Sequence, residues 1–171
     1  MQHRYLPLQR AGEVSSWKVY FQDETRFGLM TVQRRILTAR GVKPIGLFQQ
    51  KFTYRYVYGA VSPTDGDHFY ILATHTDTVM FQWFLEQLSA HKPQEFKILF
   101  LDRAGYHLAK HLQVPGNIIL WHLPPYCPEL NGIERFWQEV KRHIAWHNFR
   151  EAQELEGWIE EDRTAEAVKS L

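Results

Sequence analysis

An α/β domain is the fold class this sequence predicts, built on a mixed five-stranded sheet in which an antiparallel meander is continued by parallel strands, with helices on both faces. Three observations predict it. Alternating aromatic and β-branched runs fill the first half of the chain, an amphipathic helical stretch follows, and two nearly unbroken apolar runs flank a short helical segment after that.

The first run, WKVYFQDE, alternates and reads as a strand over Trp17 to Asp23, ending on acids. RFGLMTV follows after a very short turn as its expected hairpin partner. TYRYVYGAVSP reads as a third, antiparallel strand closed by the turn signal SPTDGD, and HFYILAT returns from that turn. From Asp77 to Ala90, Val79, Met80, Trp83, Phe84, Gln87 and Leu88 recur at helical spacing, with Asp77 as the N-cap. FKILFLD, Phe96 to Asp102, is the continuous apolar run expected of a strand covered on both faces, and it too ends on an aspartate. GYHLAKHL reads as a short helix and NIILWHL as another buried strand, so 96–123 predicts a βαβ unit with a parallel pair. The next helix starts near Asn131 and carries an apolar stripe of Ile133, Phe136, Trp137, Val140 and Ile144. Residues 151–171 predict a last amphipathic helix around Leu155, Trp158 and Ile159, with an acidic outer face. A meander, a helix and then parallel strands with crossovers is the ribonuclease H type of sheet.

Composition narrows the function classes. At 171 residues, 44% hydrophobic and 15% aromatic, the chain predicts one compact domain over 1–171. Cys127 is the only cysteine, which excludes an internal disulfide and a Cys-based zinc site. No stretch approaches the roughly 18–20 apolar residues of a membrane-spanning helix, and the N-terminus lacks a signal peptide's apolar core, so a soluble intracellular protein without a membrane partner is expected. Residues 151–171 hold seven acids against Arg163 and Lys169, a net of −5, leaving +6 on residues 1–150. Cations cluster at Arg34, Arg35, Arg40 and Lys43, at Lys51 and Arg55, and at Arg135, Lys141, Arg142 and Arg150. Such clusters suit a polyphosphate, although a solvated face is the commoner explanation of any single cluster.

Asp23 and Asp102 each stand at the end of a strand. If those strands are neighbours, the two carboxylates repel, each raises the other's pKa, and a hard divalent cation with oxygen ligands is the natural relief. Glu134, at the start of a helix, is placed to be a third ligand, completing a site for two metals. Plainer roles compete. Acids after strands are common turn residues, and Asn131 followed by Glu134 has the spacing of a capping box, in which the glutamate binds a backbone amide and no metal. Glu24 and Glu129 are rival acids, although Glu24 should point to the opposite face of the strand from Asp23.

VYFQDETRFGL, ILFLDRAGYH and LPPYCPELNGIERFW resemble, in that order, the three acidic motifs of transposases of the DDE/D superfamily, in the bacterial insertion-sequence branch related to mariner elements. The resemblance covers nearly the whole chain, and RGVKP and YGAVSPTDGDHFY are similar to segments that family places between its first two acids. The proline-rich third motif is the most specific. Arg103 stands where the family usually has asparagine, Gly132 where it has proline and Cys127 where it has serine, and the 31 residues between Asp102 and Glu134 are slightly fewer than usual.

The resemblance implies a triad of Asp23, Asp102 and Glu134 holding two Mg²⁺ ions, with Mn²⁺ as a substitute; Asp23 would bridge both, Asp102 hold one and Glu134 the other. It implies DNA cleavage and strand transfer without a covalent protein intermediate, acting on transposon ends and target DNA as a homodimer in the bacterial cytoplasm, at the nucleoid. Arg35, Arg40, Arg103, His107, Arg135, Lys141 and Arg142 are the DNA-binding candidates. His107 is equally a residue that orients the carboxylates, or a plain polar residue on a short helix. His143 and His147 have the i, i+4 spacing of a zinc pair, without the intervening glutamate of metalloproteases. Transposases of this type carry N-terminal helix-turn-helix modules, and nothing before Trp17 is long enough to be one, so a catalytic domain alone is expected. The alternatives are an inactive remnant that binds DNA or a partner without catalysis, and a cellular nuclease of the same fold acting on RNA–DNA hybrids. The third motif argues against the nuclease.

Overall fold

The computed structural model describes residues 16–29, 39–41, 51, 53–125, 127–145 and 147–160. Its strands are β1 (Ser16–Gly28), β2 (Tyr54–Val61), β3 (His68–Ala73), β4 (Glu95–Leu101) and β5 (Ile118–His122), and its helices are α1 (Thr78–Ala90), α2 (Ile133–Ile144) and α3 (Ala152–Trp158). The five strands form one sheet in the order β3-β2-β1-β4-β5. β2 and β3 are antiparallel, while β1 with β4 and β4 with β5 are parallel. The sheet is therefore mixed, as expected of an α/β domain of ribonuclease H type. None of the described helices is long and apolar enough to cross a membrane.

Two expectations about elements are corrected. The turn expected after Asp23 does not form, and β1 runs unbroken for 13 residues through Glu24 and Thr25 to Gly28, absorbing the start of the expected hairpin partner. The acids there are strand residues: Thr25 is buried and Glu24 finds polar partners beneath the sheet, so neither needs a turn. The second correction concerns the phase of α1. Phe81, Phe84, Leu85 and Leu88 face the core, whereas Val79 is 72% and Trp83 41% exposed. VMFQWFL is apolar nearly all round, so periodicity alone leaves the buried face ambiguous. The expected cap does form, with Asp77 Oδ1 accepting from Met80 N–H at 2.8 Å. The SPTDGD turn forms as well: Gly66, at φ +72°, donates its N–H to Ser62 O at 3.0 Å. The short helix after β4 is one 3₁₀ turn, Gly105–Leu108. Residues 30–32 of the expected hairpin partner and 161–171 of the expected last helix lie outside the described residues.

The chain divides into two compact units. One comprises residues up to Thr25 together with Tyr56–Glu134, and its core gathers Tyr20, Tyr58, Phe81, Phe84, Leu88, Leu99 and Ile118. At the start of its parallel pair, Lys18 Nζ donates to Asp65 at 2.8 Å and Asp67 at 3.0 Å and lies 3.3 Å from Glu95, tying β1 to β4 and to the β2–β3 turn. Lys97 interrupts the apolar run of β4. Its fully buried ammonium donates to Lys92 O at 3.0 Å and Glu95 O at 3.3 Å, and burial holds its pKa down.

The other unit comprises Arg26–Arg55 and Arg135–Leu171. In it, Phe27 meets Trp137 edge to face at 6.3 Å, the Arg26 guanidinium lies 4.4 Å from the Tyr54 ring, and Arg55 pairs with Glu156. A Cβ on Gly28 would stand 2.8 Å from the Tyr54 ring, which explains a glycine at the end of a long strand.

Candidate active site

The parallel register pairs Phe21 with Phe100, their rings 5.4 Å apart on one face of the sheet. Two residues on from each stand Asp23, within β1, and Asp102, the first residue past β4, so the register continued by two residues brings the aspartates level on neighbouring chain segments, about 4.8 Å apart at strand spacing. After β5, Leu123 N–H still bonds Leu101 O at 2.8 Å, and Pro124 and Pro125 then carry the chain away towards α2. Glu134 lies in the first turn of α2. All three acids line one cavity of about 460 Å³, together with Arg103, Ala104, Leu123, Pro124, Pro125, Cys127 and Asn131.

Asn131 decides between cap and cavity for Glu134. Its side chain is buried and donates Nδ2–H to Gln22 O at 3.0 Å, while its Oδ1 has no hydrogen-bond partner, so it does not cap the Glu134 amide. The capping box is absent, and Asn131 instead tethers the start of α2 to β1. Beside it, a Cβ on Gly132 would come within 3.1 Å of the Phe21 ring, and the proline usual in the resembling family would crowd the same place.

Burial, with nearby like charges, pushes the Asp23 carboxyl up to about 7. Burial is the largest cause and the Glu24 charge the next; a hydrogen bond from the Glu24 backbone N–H opposes them, and the charges of Asp102 and Glu134 add to the rise. Asp102 is the exposed member, its side chain 61% accessible. Its Oδ1 accepts from Ala104 N–H at 2.9 Å and from the His107 ring at 2.9 Å.

His107 is not a surface contact. Its side chain is fully buried, with Nδ1 facing Asp102 Oδ1 and Nε2 facing Glu24 Oε1 at 3.2 Å. Both partners are carboxylates, so both ring nitrogens act as donors. Burial alone would lower its pKa; the hydrogen bond and charge of Glu24, followed by Asp102, outweigh burial and hold it above the usual histidine value. Glu24 is the residue that sequence reasoning undervalued, weighed only as a rival of Asp23. Strand alternation does send it to the opposite face, as expected, and there Gln22 and Tyr106 also donate to it.

The remaining candidates are scattered. Arg103 is exposed at the cavity, and Arg40 and Arg135 are exposed elsewhere. Lys141 is half-buried, Arg142 pairs with Glu139, and Arg35 lies outside the described residues. His143 sits 3.6 Å from Glu139 and the His147 ring packs on Phe149 and Trp158; no group of three His, Cys, Asp or Glu among the described residues is gathered to hold a metal. For the cavity acids, the all-oxygen donor set fits a hard divalent cation.

The profile of the DDE superfamily endonuclease family matches residues 18–156. An uncharacterized protein, y4pE/y4sA of Sinorhizobium fredii (strain NBRC 101917 / NGR234), is 37% identical over 89 residues, covering 52% of this chain and 66% of that protein. The fold is that of the Mos1 transposase. The strand transfer complex aligns with TM-score 0.65 at 12% identity over 90% of this chain and 51% of that one, and the paired-end complex with left transposon end with TM-score 0.66 at 14% identity over 96% and 58%. The chain thus spans between half and two thirds of the length of these relatives. A profile match over most of the chain, on a shared ribonuclease H-like sheet, makes this chain a member of the DDE superfamily of endonucleases.

Proposed function

We propose that residues 1–171 act as the catalytic domain of a transposase, which cleaves and joins DNA phosphodiesters with two Mg²⁺ ions, or Mn²⁺ in their place, held by Asp23, Asp102 and Glu134. The observation that carries this reading is that the acids of all three motifs line one cavity. Bound there, such ions supply the charge that activates a hydroxyl nucleophile and relieves the leaving oxygen.

The chain's own part is to prepare the donors. Asp23 holds a proton near neutrality and must release it to become a ligand. Both bonds to Asp102 fall on Oδ1, which leaves Oδ2 for the cavity. The Asn131 tether and the two prolines fix where Glu134 leaves its loop, so little freedom is left to lose. Arg103 is placed to meet a phosphate at the cavity, with Arg35, Arg40, Arg135, Lys141 and Arg142 as further contacts to the DNA backbone. Mos1 has been solved as a paired-end complex with Mn and with Mg. Transposon ends and target DNA are the partners proposed here, with a homodimer as the working unit and the bacterial cytoplasm, at the nucleoid, as its place.

One observation favours a second reading, an inactive remnant that binds DNA without cutting it: no three acids stand gathered around one point among the described residues. Nicking of supercoiled plasmid in Mn²⁺ separates the two. The wild type is expected to nick, and Asp102→Ala to abolish nicking while its melting temperature stays near that of the wild type. Retained nicking in Asp102→Ala would sink the triad, and a folded wild type that neither nicks nor binds Mn²⁺ establishes the remnant.

A further inference from the structure

We propose that Glu24 and His107 form a positioning relay that fixes how Asp102 presents its free oxygen to the cavity. The inference rests on the reading of Asp102 as a metal ligand. Neither Glu24 nor His107 lines the cavity, yet the only polar groups the His107 ring meets among the described residues are the carboxylates of Glu24 and Asp102. The ring packs against Phe81 and Tyr106, with centroids 4.3 and 4.4 Å from its own. Glu24 is held as firmly: its side chain is 8% exposed and accepts from Gln22 Nε2 at 2.6 Å, Tyr106 Oη at 2.8 Å and His107 Nε2 at 3.2 Å.

A buried imidazole and a buried carboxylate, with an exposed carboxylate at the other end, make a poor device for stability, since the desolvation of the buried charges consumes most of what their attraction returns. What it does well is orient. Asp102 is mostly exposed and lies beyond the end of β4, where no ladder restrains it, and its Oδ1 is pinned by the His107 ring and one backbone amide. Glu24 follows Asp23 on β1. The strand that delivers one cavity acid therefore also holds, through His107, the orientation of the other, and outer partners of this kind are worth about 10–100-fold in metal affinity.

The test uses the full chain and compares His107→Asn with His107→Gln by Mn²⁺ titration, following free Mn²⁺ by electron paramagnetic resonance, with the metal-free melting temperature as a check on folding. An asparagine amide can stand near ring Nδ1 and reach Asp102; a glutamine amide stands near Nε2 and reaches Glu24 alone. The asparagine variant is expected to bind Mn²⁺ within about threefold of wild type and the glutamine variant about tenfold or more weaker. Glu24→Gln, which keeps the acceptor and loses the charge, is expected to weaken binding about threefold. A ring that only fills space would not distinguish the two amides, so equal Mn²⁺ affinity in both variants overturns the relay.

Absence of Mn²⁺ binding in the wild type would instead refute the metal reading. The relay is then decided in the metal-free protein by the His107 Nδ1–H proton resonance: its shift on Asp102→Ala and on Glu24→Gln supports the chain of bonds, and a resonance unmoved by both overturns it.

Discussion

Asp23 is where the electrostatics of this cavity concentrate. Its carboxyl titrates near 7 in the folded protein against 3.8 unperturbed, so the folded state holds the proton more tightly than the unfolded chain. The contribution of this group to stability is fully present below about 3.8 and is lost as pH rises through about 7. Asp23→Asn removes the ionisation. In urea denaturation it should match the wild type near pH 4 and be more stable by roughly 1–3 kcal/mol at pH 8, while abolishing nicking. An equal pH dependence in both proteins would mean that neither burial nor the neighbouring charges raise the Asp23 carboxyl. The same proton competes with a cation, so Mn²⁺ affinity should rise with pH up to about 7 and level off above it.

At the scale of elements, α1 shows how an ambiguous pattern is resolved. Its capping residue is legible because Asp77 precedes the apolar run and accepts from the Met80 amide; Asp77→Ala should cost about 1 kcal/mol, and Asp77→Asn much less. Its buried face is not legible, because aromatic and aliphatic residues stand on every side. Truncating Phe84, which is fully buried, should cost about 3–5 kcal/mol, whereas truncating the exposed Val79 should stay within about 0.5 kcal/mol. Denaturant midpoints of Phe84→Ala and Val79→Ala check the phase, and a larger loss at Val79 would reverse it. β1 teaches the complementary lesson. Asp23 and Glu24 look like the end of a strand when polarity is read as exposure. The strand continues because Glu24 has donors beneath it, and two of them, Tyr106 and His107, come from more than 80 positions away.

For the whole molecule, charge and topology bear on the proposed function. The +6 carried by residues 1–150 suits a phosphate backbone, and Arg103 is the cation that the structure brings to the cavity. Arg103→Ala should weaken binding to unrelated DNA duplexes uniformly and lower the slope of log affinity against log salt by about 1, measured by fluorescence anisotropy between low and physiological salt. An unchanged slope would remove Arg103 from the DNA contacts. The sequence by itself determined the sheet class, the three acidic motifs and the proline-stiffened approach to Glu134, because each is written in residues close together in the chain. Only the tertiary structure decided that Asp23 and Asp102 come level, that Asn131 ties down β1 instead of capping α2, and that His107 lies buried between two carboxylates. The reason is physical: periodicity reports which local structure a segment prefers, whereas strand register and the partner of a buried polar group depend on segments 80 to 110 residues apart, brought together by the joint burial of their apolar faces.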